Sequence, residues 1–159
     1  MHARAAELLN LLGMRPHPEG GHYVELFRSV HRVQVLGRKV ERTALTTIYF
    51  LLVAGEFSRW HRVLSDETWH FHEGDPLELL LFDERGLRRM RLGPVARETQ
   101  PTVVVPAETW QAARAAGAYT LVACTVGPGF EFADFSLAVD WPDVASRIAN
   151  AGPDVAGFI

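Results

Sequence analysis

The reading turns on residues 55–74, Gly55-Glu56-Phe57-Ser58-Arg59-Trp60-His61-Arg62-Val63-Leu64-Ser65-Asp66-Glu67-Thr68-Trp69-His70-Phe71-His72-Glu73-Gly74. Two apolar-alternating runs flank a Ser65-Asp66 turn, which is the pattern of a hairpin. In a strand over 57–64, the two-residue period puts Phe57, Arg59, His61 and Val63 on one face, with Trp60, Arg62 and Leu64 on the other. After the turn, Glu67, Trp69 and Phe71 share a face, and Thr68, His70 and His72 share the opposite one. Folding the two strands together sets His61 beside Glu67. A histidine and a carboxylate side by side in a barrel mouth form either a proton-transfer pair or part of a metal site.

The same punctuation runs along most of the chain. Short apolar runs near 22–29, 43–53, 57–64, 67–72, 77–82, 87–92, 102–105, 110–114, 118–126 and 132–139 are separated by turn residues such as Leu36-Gly37-Arg38, Gly74-Asp75-Pro76 and Gly127-Pro128-Gly129. Many short strands with no helices between them predict an antiparallel sandwich or barrel. Helix formers occupy 3–12 up to Gly13, and Pro142 opens a second helix that Gly152-Pro153 stops. The chain reads as a single domain over 1–159, with a core of about 15–139 and a C-terminal helical extension of about 140–159.

Composition narrows the function classes. The 159 residues are 48% hydrophobic and 22% charged with a net charge of −3, which fits one folded domain and excludes a disordered chain. Slight acidity without a basic face argues against nucleic acid, and no apolar run is long enough to span a bilayer. The N-terminus lacks a signal-peptide apolar segment, so a cytoplasmic location is expected. Cys124 is the only cysteine. An internal disulfide is therefore impossible, and a thiol nucleophile finds no charged neighbour to activate it. P-loop, Rossmann and G-x-S-x-G patterns are absent.

Residues 55–74 resemble the first motif of the cupin superfamily, with Gly55, His61, Glu67 and Gly74 at motif positions and Val63 where a second histidine is usual. Pro106-Ala107-Glu108-Thr109-Trp110-Gln111 resembles the second motif, with Glu108 at its glycine and Gln111 at its histidine. His17-Pro18-Glu19-Gly20-Gly21-His22-Tyr23, Thr47–Leu52 and Pro128–Phe132 extend the likeness to one small cupin branch, similar in fold to dTDP-4-dehydrorhamnose 3,5-epimerase. The resemblance implies an all-β double-stranded β-helix, or jelly-roll barrel, with short terminal helices. It also implies a homodimer in which strands such as 22–29 are exchanged between subunits, a small-molecule ligand, and a pocket edge formed by His17–Tyr23.

Three functions follow as expectations. The first is a metal-independent isomerase or epimerase acting on a sugar-nucleotide or small keto compound. Here His61 is the general base, Glu67 orients it, Tyr119 is a candidate acid, and Arg59 holds an anionic group. Trp69, Phe71, Trp110 and Gln111 are candidates for substrate contact, the aromatics being equally readable as core. The second is a metal-dependent oxygenase or decarboxylase with His61, Glu67 and Gln111 as ligands. The third is a non-catalytic binding pocket. No cofactor is expected, because a His, a Glu and an amide oxygen make a sparse set for a divalent metal. His70 and His72, on the face opposite Glu67, are expected outside the pocket.

Overall fold

The computed structural model describes residues 1–159. Helix α1 (Ala3–Leu12) begins where the His2 side chain accepts from the Arg4 N–H, and it ends at Gly13 with φ 61°. Strands β1 (Arg15–Pro16) and β2 (His22–Arg28) follow, then the hairpin β3 (Arg32–Val35) and β4 (Val40–Thr43). The barrel continues through β5 (Thr46–Val53), β6 (Phe57–Val63), β7 (Asp66–Gly74), β8 (Leu77–Asp83) and β9 (Gly86–Leu92). It closes with β10 (Thr102–Val105), β11 (Trp110–Ala115), β12 (Tyr119–Gly127) and β13 (Phe135–Leu137), before helix α2 (Pro142–Ala151). No helix is long and apolar enough to cross a membrane.

Two sheets face each other in a jelly roll. Their strand orders are β1-β2-β5-β12-β7-β10 and β13-β6-β11-β8-β9, and all the strand pairs in both are antiparallel. Alternation along the strands sends Phe50, Leu52, Trp69, Leu77, Leu79, Leu81, Val103 and Val122 between the sheets. Two further apolar layers lie outside. The β6 and β11 residues Trp60, Trp110 and Ala112 join Leu80 and Phe82 beneath Ile148, Val155 and Phe158 of the C-terminal segment. Helix α1 lays Ala5 and Leu8 over Leu51, Val53, Tyr119 and Leu121. Burial on both faces explains why β8, Leu-Glu-Leu-Leu-Leu-Phe-Asp, is nearly continuously apolar instead of alternating.

The structure departs from the sequence reading in four places. The expected strand 43–53 is divided: β4 stops at Thr43, Ala44 donates its N–H to His31, and β5 starts at Thr46. The region 36–38 is therefore the turn of a separate hairpin. Secondly, the expected strand 132–139 pairs only over Phe135–Leu137, between two short 3₁₀ turns. The cause lies at Asp134, buried at the first of these turns, where it accepts from Arg42 and Arg38 and so fastens the β3–β4 hairpin to the barrel. Thirdly, β2 pairs with β5 of its own chain. The fourth departure concerns β6. Between Gln111 and Ala113, β11 spans the distance that β6 covers from His61 back to Ser58, so β6 carries an extra residue as a β-bulge. Strict alternation fails there: Phe57 and Trp60 both face the outer layer, and Ser58 turns inward.

Candidate functional site

The apolar filling stops short of one end of the barrel, where a cavity of about 240 Å³ remains. Its inner wall carries His61 and Val63 from β6, Glu67 from β7, Cys124 and Val126 from β12, and Ile48 and Phe50 from β5. The segment from β1 to β2 closes one side with His17, Glu19 and Tyr23, as the resemblance implied for the pocket edge.

Local chain chemistry aims Glu19 inward. Gly20 and Gly21 hold φ of 109° and 67°, values that favour glycine. A Cβ at Gly20 would run into the Phe57 carbonyl oxygen, so only glycine lets this turn lie flat on the start of β6. The Arg59 N–H then donates to the Glu19 carbonyl at 2.7 Å. The Glu19 carboxyl, 6% exposed, accepts from Ser58 Oγ at 2.8 Å and lies 3.3 Å from His61 Nε2.

Protonation states follow from these contacts. His61 Nδ1 donates to the Arg59 carbonyl at 2.8 Å, which leaves Nε2 with a lone pair facing Glu19. Burial lowers the His61 pKa, against the opposing pull of Glu67 and of that carbonyl. Burial likewise pushes the Glu19 carboxyl up to about 8, opposed by the Ser58 hydrogen bond and by Arg59. At neutral pH, Glu19 therefore keeps its proton and presents it to His61. His17, 3.4 Å from Glu19, is held neutral by burial, with its pKa down to about 4.

Glu67 is the second buried carboxylate. Burial raises it to about 6, with the neighbouring His61 pulling the other way. Gln111 Nε2 donates to Glu67 Oε2 at 2.5 Å, and Trp69 Nε1 donates to Gln111 Oε1 at 2.9 Å. An indole nitrogen only donates, so Trp69 fixes the amide with its oxygen turned away from Glu67. The Cys124 thiol sits by the same wall and is pushed well up by burial, so it stays protonated.

The residues expected from the sequence divide into those at the cavity and those elsewhere. His61 and Glu67 both line it, but the carboxyl touching His61 belongs to Glu19. Glu67 is oriented by Gln111 and does not itself orient His61. Trp69 and Phe71 pack into the core below the cavity, and Trp110 lies in the outer layer, with Arg62 stacked between it and Trp141. Tyr119 faces the α1 side, where its hydroxyl donates to Glu73 at 2.8 Å. Arg59 sits on the bulge, so its guanidinium turns away from the cavity and donates to the Pro18 carbonyl at 2.6 Å. His70 and His72 lie on the face opposite Glu67, His70 near Thr102 Oγ1 and His72 edge-on to Tyr49.

Ser58 and Arg15 carried no assigned role in the sequence, and Glu19 stood only within the pocket-edge segment that the resemblance implied. The Gly20-Gly21 turn was the signal for Glu19, since a glycine pair there implies a close approach of backbones. Ser58 was hidden by the bulge, which nothing in the local sequence marks.

The resemblance to cupins raises the question of a metal. The four positions that the resemblance implies are occupied by His61, Val63, Glu67 and Gln111. Val63 has no donor atom, and both functional atoms of Gln111 are committed to Trp69 and Glu67. No group of three or more His, Cys, Asp or Glu side chains is disposed to hold a metal ion. This set does not fit a divalent metal centre.

Residues 6–138 match the family described as Cupin superfamily (DUF985). The chain belongs to that family. Among solved structures, this cupin is similar to a protein from Leishmania major at 32% identity and TM-score 0.83, covering 98% of this chain and 96% of the other. It is also similar to a protein from Shewanella oneidensis at 30% identity and TM-score 0.77, covering 93% and 96%. Oxalate decarboxylase from Bacillus subtilis, at 16% identity and TM-score 0.59, matches 85% of this cupin with 33% of its own chain and shares the fold alone. No curated protein matches the sequence.

Proposed function

We propose that this cupin binds a small carbonyl compound and moves a proton at the carbon next to the carbonyl, as a metal-independent isomerase or epimerase does. The observation that carries the reading is a pair of buried carboxyls in one cavity whose environments separate their protonation: Glu67 near 6 and Glu19, against His61, near 8. At pH 7 one is a base and the other an acid.

The division of labour follows from that difference. Glu67 takes the proton from carbon, the C–H electron pair forms a C=C bond, and the carbonyl oxygen receives a proton from the Glu19–His61 pair. The product is an enol, and the reverse steps return a proton to the same or the opposite face. The role of base thus passes from His61 to Glu67, while His61 holds and relays the proton of Glu19. A cavity of about 240 Å³ has room for a compound of roughly eight non-hydrogen atoms, at about 30 Å³ per water displaced. A whole nucleotide does not fit inside it, which favours a small keto compound over a sugar-nucleotide.

The test is exchange of solvent deuterium into small keto compounds, followed by proton NMR on chelator-treated protein. Exchange is expected in wild type and is lost by a factor of about 100 or more in Glu67→Gln and His61→Ala, the usual scale of general acid–base catalysis. Binding without exchange would reduce the site to a ligand pocket. Exchange that required added metal would instead support the oxygenase and decarboxylase class.

A homodimer is part of the same reading. Leu26 and Phe27 at the end of β2 are 47% and 53% exposed, with Val30 at 88% and Leu45 at 37% beside them. A second copy is the simplest cover for such a face. Light scattering is expected to give twice the 17.7 kDa chain mass, and a monomer at micromolar concentration would remove the dimer from the account.

A further inference from the structure

The proton-transfer reading leaves open what holds the ligand, and the cavity mouth supplies an answer that rests on it. Four charged side chains line this mouth: Arg15, Arg28, Glu25 and Glu131. Arg28 is committed. It donates to both Glu25 carboxylate oxygens at 3.1 and 2.8 Å, to Glu131 at 3.0 Å, and to the Phe130 carbonyl at 3.1 Å. Arg15 has no carboxylate within 4.0 Å and no hydrogen-bond acceptor. Its guanidinium lies over the Tyr23 ring at 4.9 Å, and that ring packs edge-on against His17 of the cavity wall. The stacking holds the planar group in place while its N–H edge stays free for a ligand.

From this geometry we infer that the ligand is a small keto acid whose carboxylate is held by Arg15 at the mouth, with its carbonyl end directed inward to Glu19, His61 and Glu67. Charge fixes the orientation. The inner end carries Glu67, ionised at neutral pH, and no cation, so a ligand carboxylate placed there would face repulsion. The mouth holds two arginines and two glutamates, with one guanidinium unspent. A single negative charge suits this balance, whereas a phosphate dianion would crowd Glu25 and Glu131. Volume points the same way: with its carboxylate at the rim, an acid of three to six carbons is of the size that the cavity takes (roughly eight non-hydrogen atoms). The anion-holding role foreseen for Arg59 falls to Arg15, because the β6 bulge turns Arg59 away.

The experiment compares keto acids of three to six carbons, with the ketone at C2 or further from the carboxylate, with their methyl esters, by saturation-transfer NMR and calorimetric titration, on wild type, Arg15→Gln and Arg97→Gln. The expected result is binding of at least one acid, with its ester at least about tenfold weaker. Arg15→Gln should weaken the acid by about tenfold or more and leave the ester unchanged, as loss of a charge-assisted fork contact predicts. Arg97→Gln, an exposed arginine far from the cavity, should match wild type. Equal binding of acids and esters, an acid affinity indifferent to Arg15, tighter binding of a phosphorylated ketone such as dihydroxyacetone phosphate, or no binding of any acid would each overturn the assignment. Deuterium exchange in the same samples separates this inference from the reading beneath it. Exchange into esters that depends on Glu67 but not on Arg15 would leave proton transfer standing and remove the keto-acid assignment. Arg15-dependent binding with no exchange would do the reverse.

Discussion

Replacing Glu19 with Gln is expected to raise the thermal midpoint by roughly 10 °C at pH 9 and to leave it nearly unchanged at pH 5. The direction follows from the native pKa of about 8 against an ordinary 4.5. A carboxyl whose pKa is raised on folding contributes fully below pH 4.5. That contribution shrinks as pH rises from 4.5 towards 8, and above 8 the buried group ionises in place. The shift corresponds to a loss on the order of 5 kcal/mol, relative to the unfolded chain, by the alkaline end of that window. A Gln side chain never ionises, so it escapes the loss. Its amide oxygen can accept from Ser58 Oγ, and its NH₂ can donate to His61 Nε2, so the contacts of the protonated acid are kept. Differential scanning calorimetry at pH 5, 7 and 9 checks this. Parallel midpoints for variant and wild type across that range would mean that Glu19 is ionised in the native protein throughout.

The second large effect lies far from the cavity. Trp60→Ala is expected to cost about 3–5 kcal/mol of stability, the usual range for emptying a buried tryptophan site. Trp60 is 0% exposed, beneath Ile148, Val155 and Phe158, and its Nε1 donates to the Val155 carbonyl at 2.9 Å. Removing it opens a cavity and frees the anchor of the C-terminal segment, so amides of α2 should lose hydrogen-exchange protection first. Trp60→Phe, which keeps most of the volume but not the hydrogen bond, should fall between the two. Urea titration measures the cost. A loss below about 1 kcal/mol would mean that the C-terminal segment does not cover this face in solution.

These two residues also mark where the sequence was and was not informative. Trp60 was placed correctly, opposite His61, because strand alternation and burial agree at that position. The many-stranded β architecture and the inward direction of His61, Glu67 and Trp69 follow from the same periodicity, the two helices from their helix formers and Gly and Pro stops, and the jelly-roll barrel from the cupin resemblance. Phe57 and Arg59 were misdirected by it, since one extra residue in β6 reverses the faces on the N-terminal side of His61. Such a bulge is fixed by pairing with β11, fifty residues away, and leaves no local trace. The β3–β4 hairpin went unread for a related reason. Its strands are short and half exposed, and its hold on the barrel is the contact of Arg38 and Arg42 with Asp134 rather than an apolar face. Glu19 is the instructive case at the site. Its neighbours Gly20 and Gly21 announced a tight turn, but only tertiary packing shows that the turn delivers a carboxyl to His61.

The central claim is that Glu67 and the Glu19–His61 pair exchange protons with a bound keto compound without a metal. Its most direct test is the pH dependence of solvent-deuterium exchange by chelator-treated protein. The account predicts a bell with limbs near pH 6, where Glu67 must lose its proton, and near pH 8, where the Glu19–His61 pair must keep one. Glu19→Gln should lower the maximal rate by about 100-fold or more and remove the alkaline limb from what remains. An exchange rate that rises monotonically through pH 9 in wild type, or that appears only when a divalent metal is restored, would contradict it.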